Sequence, residues 1–176
     1  MKTTQAINET ANMVQTERQL VALHLGSEIY GVDISCIHTV LMPQPITTVP
    51  QTPDYVQGVM NLRGRIIPVV DLRVRFGLES TSTDKTRIVI IEVEGLTAGL
   101  IVDSVSEVLR LSEASIETPS ALLASTVAEC ITGIGRSNSK SSEGKDQDRL
   151  ILLLDVYRLL AGALGDTDLL SDMKAA

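Results

Sequence analysis

Residue types that commonly carry catalysis are scarce in this chain and do not come together. His24 lies in an apolar stretch typical of a strand, and His38 has no cysteine or serine beside it in a nucleophile context. The spacing of His, Cys, Asp and Glu matches no metal-binding motif, and the glycines form neither a dinucleotide-binding nor a phosphate-binding loop. We therefore expect a protein that is not an enzyme and that uses no metal or cofactor.

Four aspartates at the ends of apolar segments have the appearance of a carboxylate set. Asp33, Asp71 and Asp155 each stand between a predicted strand and a short helical stretch, where aspartate is favoured as the N-cap. Asp103 lies in a turn-like Asp-Ser step. Structural capping, rather than acid-base chemistry, is the predicted role.

The two cysteines and the N-terminus indicate a protein of the cytoplasm. Cys36 and Cys130 are far apart in apolar contexts, which favours small buried side chains over a disulfide or a metal site. The first residues contain no apolar run typical of a signal peptide, and no uninterrupted apolar stretch is long enough to cross a membrane. A cytoplasmic location is the expectation.

Positive charge is concentrated in one part of an acidic chain. The net charge is -7, which disfavours a general binder of nucleic acid or anionic membranes. Six of the fifteen Lys and Arg residues nevertheless fall close together: Arg63, Arg65, Arg73, Arg75, Lys85 and Arg87. They are interpreted either as a solvated face or as a docking patch for carboxylates, which arginine binds through its planar fork. An aromatic content of 2% disfavours a barrel that stacks bases.

Short strands are the elements that must position these arginines. Alternating or fully apolar runs predict the following strands: 20–25, 29–32, 59–62, 65–70, 87–93, 96–102, 131–135 and 149–154. Short helices are predicted after the three capping aspartates, the first of them carrying residues 34–41. Pro68 lacks an N–H and predicts an edge strand or a bulge.

Polar segments flank and interrupt these elements. Residues 1–17 predict a flexible tail, and residues 166–176 predict an acidic tail. The polar run at 137–148 predicts a long, mobile loop between two strands.

The two halves of the chain repeat one another. LVALHLGSEIYG (20–31) matches IVIIEVEGLTAG (88–99), and RIIPVVDLRVRF (65–76) matches RLILLLDVYRLL (149–160) in the same order. We interpret this as an internal duplication, about 20–77 and 88–162, of a β-rich unit. Two such units predict paired small barrels, either separate or interwoven, with an apolar seam between them.

The copies differ at one hairpin. The first copy crosses it with Asn61-Leu62-Arg63-Gly64, whereas the second crosses it with the polar run 137–148. Arg65 aligns with Arg149, so a shared strand pattern accounts for it. It does not account for Arg63.

Several segments resemble the CheW family, the coupling proteins of bacterial chemotaxis. The resemblance covers about residues 18–162, and its most specific part is the block P-x-x-P-x-Y-V-x-G-V-x-N-L-R-G that ends at Gly64. It implies a mainly β fold of two pseudo-equivalent five-stranded SH3-like barrels with short helices, in one CheW-like domain at 18–165. It also implies a non-enzymatic adaptor between methyl-accepting chemoreceptors and a CheA-type histidine kinase, which meets the membrane only through the receptors.

In that family the tip of a receptor's helical hairpin docks in a groove between the barrels. The positions that match the family's receptor-binding motif are Ile37, Thr39, Val40, Gly58, Asn61 and Arg63. The resemblance implies that Arg63 pairs with a receptor carboxylate or orders the groove wall, and that a side chain at Gly58 would intrude on the groove. Thr39 departs from the many relatives with an acidic residue there, which indicates a different receptor set.

Two alternatives stay open. The same scaffold could serve a chemosensory pathway for twitching motility, surface sensing or development. The other alternative is a phosphate-binding or nucleic-acid-binding barrel that uses the arginine cluster.

Overall fold

The computed structural model describes residues 16–119, 128–140 and 146–165. Within them the chain forms ten strands, named in chain order: β1 (Glu17–Leu25), β2 (Glu28–Asp33), β3 (Ile37–Leu41), β4 (Val56–Leu62), β5 (Arg65–Asp71), β6 (Arg87–Val93), β7 (Leu96–Val102), β8 (Ser104–Ser112), β9 (Ile131–Lys140) and β10 (Asp146–Leu154). Two α-helices are present, α1 (Leu72–Arg75) and α2 (Val156–Leu164), besides three 3-10 turns. The mainly β prediction is confirmed. The predicted tails lie outside the described residues, apart from Thr16 and Glu17.

Two five-stranded sheets share one topology. The first barrel has the order β3-β6-β7-β5-β4, and the second barrel has the order β8-β1-β2-β10-β9. Each strand of the first barrel corresponds to the strand of the second barrel that lies five positions away in chain order, so that β3 corresponds to β8 and β6 to β1. Each sheet therefore combines two strands from one half of the chain with three from the other half. In both sheets the single parallel pairing joins equivalent strands, β5 to β7 and β10 to β2.

A short bridge brings the two edges of each sheet together. After β3 the chain crosses to the outer edge of β4, where Thr47 and Val59 exchange backbone hydrogen bonds of 2.8 and 2.9 Å. After β8, Glu117 and Ile134 make the equivalent pair at 2.9 and 2.8 Å. These bridges leave fewer unpaired edge groups than two open sheets would have.

The predicted apolar seam is present as the largest buried cluster. Along β6, Ile88 and Ile90 point into the first barrel, while Val89 and Ile91 belong to the cluster that both barrels share. This alternation follows from the two-residue period of a strand that is buried on both faces. Helix α2 adds five buried residues to the shared cluster: Val156, Leu159, Leu160, Ala163 and Leu164. The two barrels are thus packed through one common core.

The three capping predictions are confirmed. The side chains of Asp33, Asp71 and Asp155 accept hydrogen bonds from backbone amides of the short helical segments that follow them, at 3.0 Å each. Asp103 lies between β7 and β8. Its carboxylate accepts a 2.7 Å hydrogen bond from the Gly26 amide.

The helix predicted over residues 34–41 is wrong. Only Ile34–Cys36 form a 3-10 turn, and the chain continues directly as strand β3. Residues 37 to 41 pair with β6, and β-branched side chains suit that paired, half-buried surface better than a helix. Ile37, Thr39 and Val40 therefore lie on a strand.

Pro68 is not on an edge strand, because β5 lies between β4 and β7. Its partner on β4 is Val59, whose amide and carbonyl are bonded to Thr47 on the other side. The parallel ladder with β7 begins one residue later, at Val69. No ladder hydrogen bond is needed from position 68, so proline is accepted there. The irregularity of this pairing falls on β4, between Val56 and Gly58.

The loop predicted at 137–148 is shorter than expected. Strands β9 and β10 continue as an antiparallel pair to the partners Lys140 and Asp146. The connection between them, 141–145, lies outside the described residues. Polar composition suggested a loop, but a solvent-facing hairpin arm accepts the same composition.

Candidate functional site

The residues Asn61 to Gly64 form a tight turn at the tip of the β4–β5 hairpin. Arg63 and Gly64 both have positive φ, 52° and 83°, as a two-residue hairpin turn of type I′ requires. The Asn61 side-chain oxygen accepts a 2.8 Å hydrogen bond from the Gly64 amide. Asn61 and Gly64 are therefore explained by the shape of the turn.

Turn geometry does not explain the positive charge of Arg63. A left-handed backbone is unfavourable for arginine, and glycine or asparagine would fit it better. The side chain is exposed and makes no hydrogen bond or ion pair with another described residue. In contrast, Arg65 donates a long, 3.4 Å hydrogen bond to the Thr97 hydroxyl on β7. Of the two arginines, Arg63 is the one whose guanidinium is left available for a partner.

The start of β3 lies at the same end of the first barrel as this hairpin. Ile37 pairs with Ile91 near the end of β6, close to the β6–β7 turn at residues 94 and 95. The contact between Arg65 and Thr97 brings the hairpin to that end too. A concavity of about 290 Å³ is found there, with the following lining: Ser35, Cys36, Ile37, His38, Glu92, Glu94 and Gly95. The structure thus places Ile37 and Arg63 at one end of the barrel.

Thr39 and Val40 lie further along β3. Thr39 pairs with Ile90 and is half-buried, whereas Val40 pairs with Val89 and is 39% exposed. Val40 is a surface apolar residue, which suits contact with another protein. The six predicted site residues therefore occupy β3, β4 and the β4–β5 turn of one barrel.

Gly58 is buried in the wall of the first barrel. Its φ is +138°, and a Cβ there would lie within van der Waals overlap of the Thr47 carbonyl group and 3.0 Å from the Thr48 Cα. Thr47 is the residue that bridges to β4, so a side chain at position 58 would collide with the bridging backbone. The structural reason for this glycine is barrel closure, which differs from the groove argument that the resemblance suggested.

The arginine cluster does not form one surface. Arg73 is 3% exposed and is held by both carboxylate oxygens of Asp71, at 3.0 and 2.9 Å, and by Asp103 at 3.4 Å. The hydrogen bonds that Arg73 donates to Asp71 raise the pKa of Arg73 against the opposing effect of burial. Arg87 donates to the backbone carbonyls of Asp84 and Thr86. Arg73 is structural, so the solvated-face and docking-patch interpretations do not apply to it.

Sequence reasoning named Val40 as a candidate site residue but missed three other exposed apolar side chains, Ile66, Val108 and Leu150. Ile66 is 59% exposed and its repeat partner Leu150 is 57% exposed. Val40 and its partner Val108 are 39% and 50% exposed. Ile66 and Leu150 lie on segments that were predicted as core strands, whereas Val40 was predicted on a short helix. Their alignment in the two copies was visible in the sequence, but their exposure depends on the tertiary arrangement.

The described residues contain no group of three or more His, Cys, Asp or Glu side chains placed to hold a metal ion. None of the described helices is long and apolar enough to span a membrane. Two bridged five-stranded barrels with a shared core define the class as a mainly β, two-barrel SH3-like protein.

Comparison with known proteins gives the particular family. The model of the CheW-like domain matches residues 19–163, and the chain belongs to the CheW-like family. It is 32% identical over 145 residues to the chemotaxis protein CheW of Klebsiella aerogenes, covering 82% of each chain. It is 32% identical to the chemotaxis protein CheW of Bacillus subtilis, covering 86% of this chain and 91% of that one. A crystal structure of the scaffolding protein CheW from Thermoanaerobacter tengcongensis matches with a TM-score of 0.67 and 38% identity, covering 79% of this chain and 89% of that one.

Proposed function

We propose that this chain is a non-enzymatic adaptor that couples methyl-accepting chemoreceptors to a CheA-type histidine kinase in cytoplasmic chemotaxis arrays. Membership of the CheW-like family supports a chemotaxis scaffold, and the geometry of the β4–β5 turn supports a receptor-binding site. The observation that carries the proposal is Arg63. It is an exposed cation held in an unfavourable left-handed backbone conformation, at a place where the fold does not need its charge.

The receptor-binding surface in this proposal includes the six residues of the first barrel. Arg63 pairs with a carboxylate of a receptor helix through charge-assisted hydrogen bonds. Ile37 and Val40 offer apolar contact to the same helix, and Thr39 replaces an acidic residue of many relatives. Asn61 and Gly58 act indirectly, because one shapes the turn and the other permits the barrel to close.

The kinase contacts exposed apolar side chains of the barrels in this proposal. The resemblance implies that the CheA-type kinase carries a regulatory domain homologous to this chain, so pairing of barrel with barrel is the expected mode. Exposed apolar side chains at equivalent places on both barrels, Ile66 and Leu150, support such pairing. Coupling further requires that the adaptor favour one kinase state when a receptor is bound, because equal affinity for both states transmits nothing.

The test is a pull-down with receptor cytoplasmic fragments. Arg63→Glu should weaken binding by about tenfold or more, because one charge-assisted contact is lost and a like charge replaces it. Arg63→Asn removes the cation but suits the left-handed turn, so it should also weaken binding while the melting temperature is kept.

The matched control is Arg110→Glu, a charge reversal at an exposed arginine of β8 in the second barrel. It should leave receptor binding unchanged. Unchanged binding by both Arg63 variants would contradict the proposed role of this residue. Loss of binding by all three variants would indicate a general charge effect instead.

A non-flagellar chemosensory pathway would use the same surfaces. Co-purification with the kinase, with and without receptor, would identify the pathway through the partners recovered. For a nucleic-acid-binding barrel, the expected observation is salt-dependent binding to an oligonucleotide. The burial of Arg73 and the backbone bonds of Arg87 disfavour that function.

A further inference from the structure

A second group of arginines faces a cleft between α1 and α2. The cleft has a volume of about 470 Å³ and is lined by the following residues: Arg75, Glu129, Cys130, Arg158, Ala161 and Gly162. None of them belongs to the proposed receptor-binding surface. The lining contains two arginines and one glutamate, and Asp155 stands beside Arg158 at 3.7 Å.

Arg75 is a half-buried cation without an acidic partner among the described residues. Its guanidinium carbon lies 5.0 Å from the centre of the Tyr55 ring, so one face of the group is in cation–π contact. Its Nε is buried and has no hydrogen-bond partner in the described part of the chain. A buried donor that has lost water and gained no acceptor is unfavourable, and a ligand in the cleft would meet Arg75 instead at the terminal nitrogen beside Gly162.

Gly162 leaves room beside this guanidinium. A Cβ at position 162 would lie 3.7 Å from a terminal nitrogen of Arg75. Arg158 and Gly162 are four residues apart on α2 and share one face of the helix. Glycine inside a helix is less favourable than alanine, so the space is maintained against local propensity.

Arg158 can provide a second positive charge. Its present partner is Asp155, at 3.7 Å, and the Arg158 side chain is 66% exposed. An exposed ion pair of this length contributes little to stability, so exchanging it for a ligand costs little.

From these observations we propose that the cleft binds one oxyanion, a carboxylate or a phosphate, through the edge of the Arg75 guanidinium with Arg158 as the second cation. The planar fork of arginine matches the oxygens of either group. The oxyanion is one supplied from solution.

The experiment follows arginine Nε–Hε and glycine amide signals by NMR in the full chain. Inorganic phosphate and acetate are titrated at constant ionic strength. Saturable shifts of the Arg75 and Gly162 signals are expected. Gly162→Ala fills the space beside Arg75 and favours the helix, so it should weaken binding about tenfold or more without loss of fold.

Two arginine variants complete the test. Arg75→Gln should abolish the shift of the Gly162 amide. Arg75→Lys keeps a cation next to Tyr55 but removes the planar fork, so binding should be weakened with the fold kept. Arg110→Gln is the matched control and should behave as the parent.

The proposal is overturned if the parent does not respond to phosphate or acetate, or if Gly162→Ala and Arg75→Gln respond as the parent does.

Discussion

Replacing Gly58 by alanine tests whether this glycine serves barrel closure or a partner's access. The new Cβ would overlap the Thr47 carbonyl group, and the backbone at φ +138° is one that alanine rarely adopts. Such a backbone costs about 1–3 kcal/mol. Moving Thr47 away also endangers its two hydrogen bonds with Val59, worth about 0.5–1.5 kcal/mol each. The sum is about 2–6 kcal/mol, a large part of the stability of an ordinary domain.

Thermal unfolding measures this loss directly. For a chain of this size, about 1 kcal/mol corresponds to about 2–4 °C, so Gly58→Ala should lower the melting temperature by about 5 °C or more. Gly64→Ala is the first control, because Gly64 has φ +83° and no atom within 4 Å of the added Cβ. The loss of stability in Gly64→Ala therefore measures the cost of the left-handed backbone alone, without a steric collision of the added Cβ.

Gly133→Ala, at the equivalent glycine of the second barrel, is the second control. Its Cβ would meet mainly the Ile116 side chain, which can move, so a smaller loss of about 1–3 kcal/mol is expected. The reasoning is refuted if Gly58→Ala melts within about 2 °C of the parent. Should that stable variant also fail to bind receptor fragments, the groove explanation of Gly58 would be the correct one.

Two further predictions concern carboxylates. Asp71→Ala should cost about 3–5 kcal/mol in urea unfolding, because the guanidinium of Arg73 stays buried without its main partner. Arg158→Ala, which breaks an exposed pair, should cost less than about 1 kcal/mol, and equal losses would contradict the role of burial. At Asp33, burial raises the pKa, but hydrogen bonds from the hydroxyl and amide of Ser35 outweigh it and the pKa is lowered. Its contribution to stability is therefore complete above the unfolded-state pKa of about 4 and is lost as the pH falls through the lower folded-state value. Asp33→Asn should flatten the pH dependence of stability in that acid range.

The repeat and its hairpins could be predicted from the sequence because they depend on local patterns. Alternation of apolar residues, turn glycines and capping aspartates act over a few neighbouring positions, and they predicted eight of the ten described strands and the helices after Asp71 and Asp155. The exchange of strands between the barrels had no such local signal. Alignment of the halves shows which strands are equivalent, but an apolar strand has the same pattern whichever partner it pairs with.

The segment at 34–41 shows where local pattern fails. Eight residues are too few to separate a helical period from a strand, and the Asp33 cap fits either a short turn or a full helix. The neighbouring strand β6 decided the outcome, because it supplies a pairing edge for Ile37 to Leu41. For the candidate site this changes the shape of the surface: the predicted receptor contacts project from a strand, with two-residue alternation, rather than from one helical face.

Arginines close in sequence also separate in space for a topological reason. The segment from Arg63 to Arg75 runs along one strand and into α1, so it crosses from the hairpin tip to the other end of the barrel. Arg63 therefore stands at the tip, Arg73 is buried and Arg75 lines the cleft beside α2. A charge count over a window could not distinguish these three environments, because burial depends on the packing of both halves.

Duplication followed by divergence at the hairpin tips fits a protein that contacts unlike partners. The two barrels keep equivalent exposed apolar positions, Ile66 with Leu150 and Val40 with Val108, so their surfaces are alike there. They differ at the turn between the fourth and fifth strands of each copy, where only the first copy has the Asn-Leu-Arg-Gly turn. Since a turn residue at a hairpin tip is not constrained by the core, it can acquire a specific contact at little cost to the fold. Arg63 occupies such a position, and a binding contact is the most economical reason for an arginine in a left-handed turn.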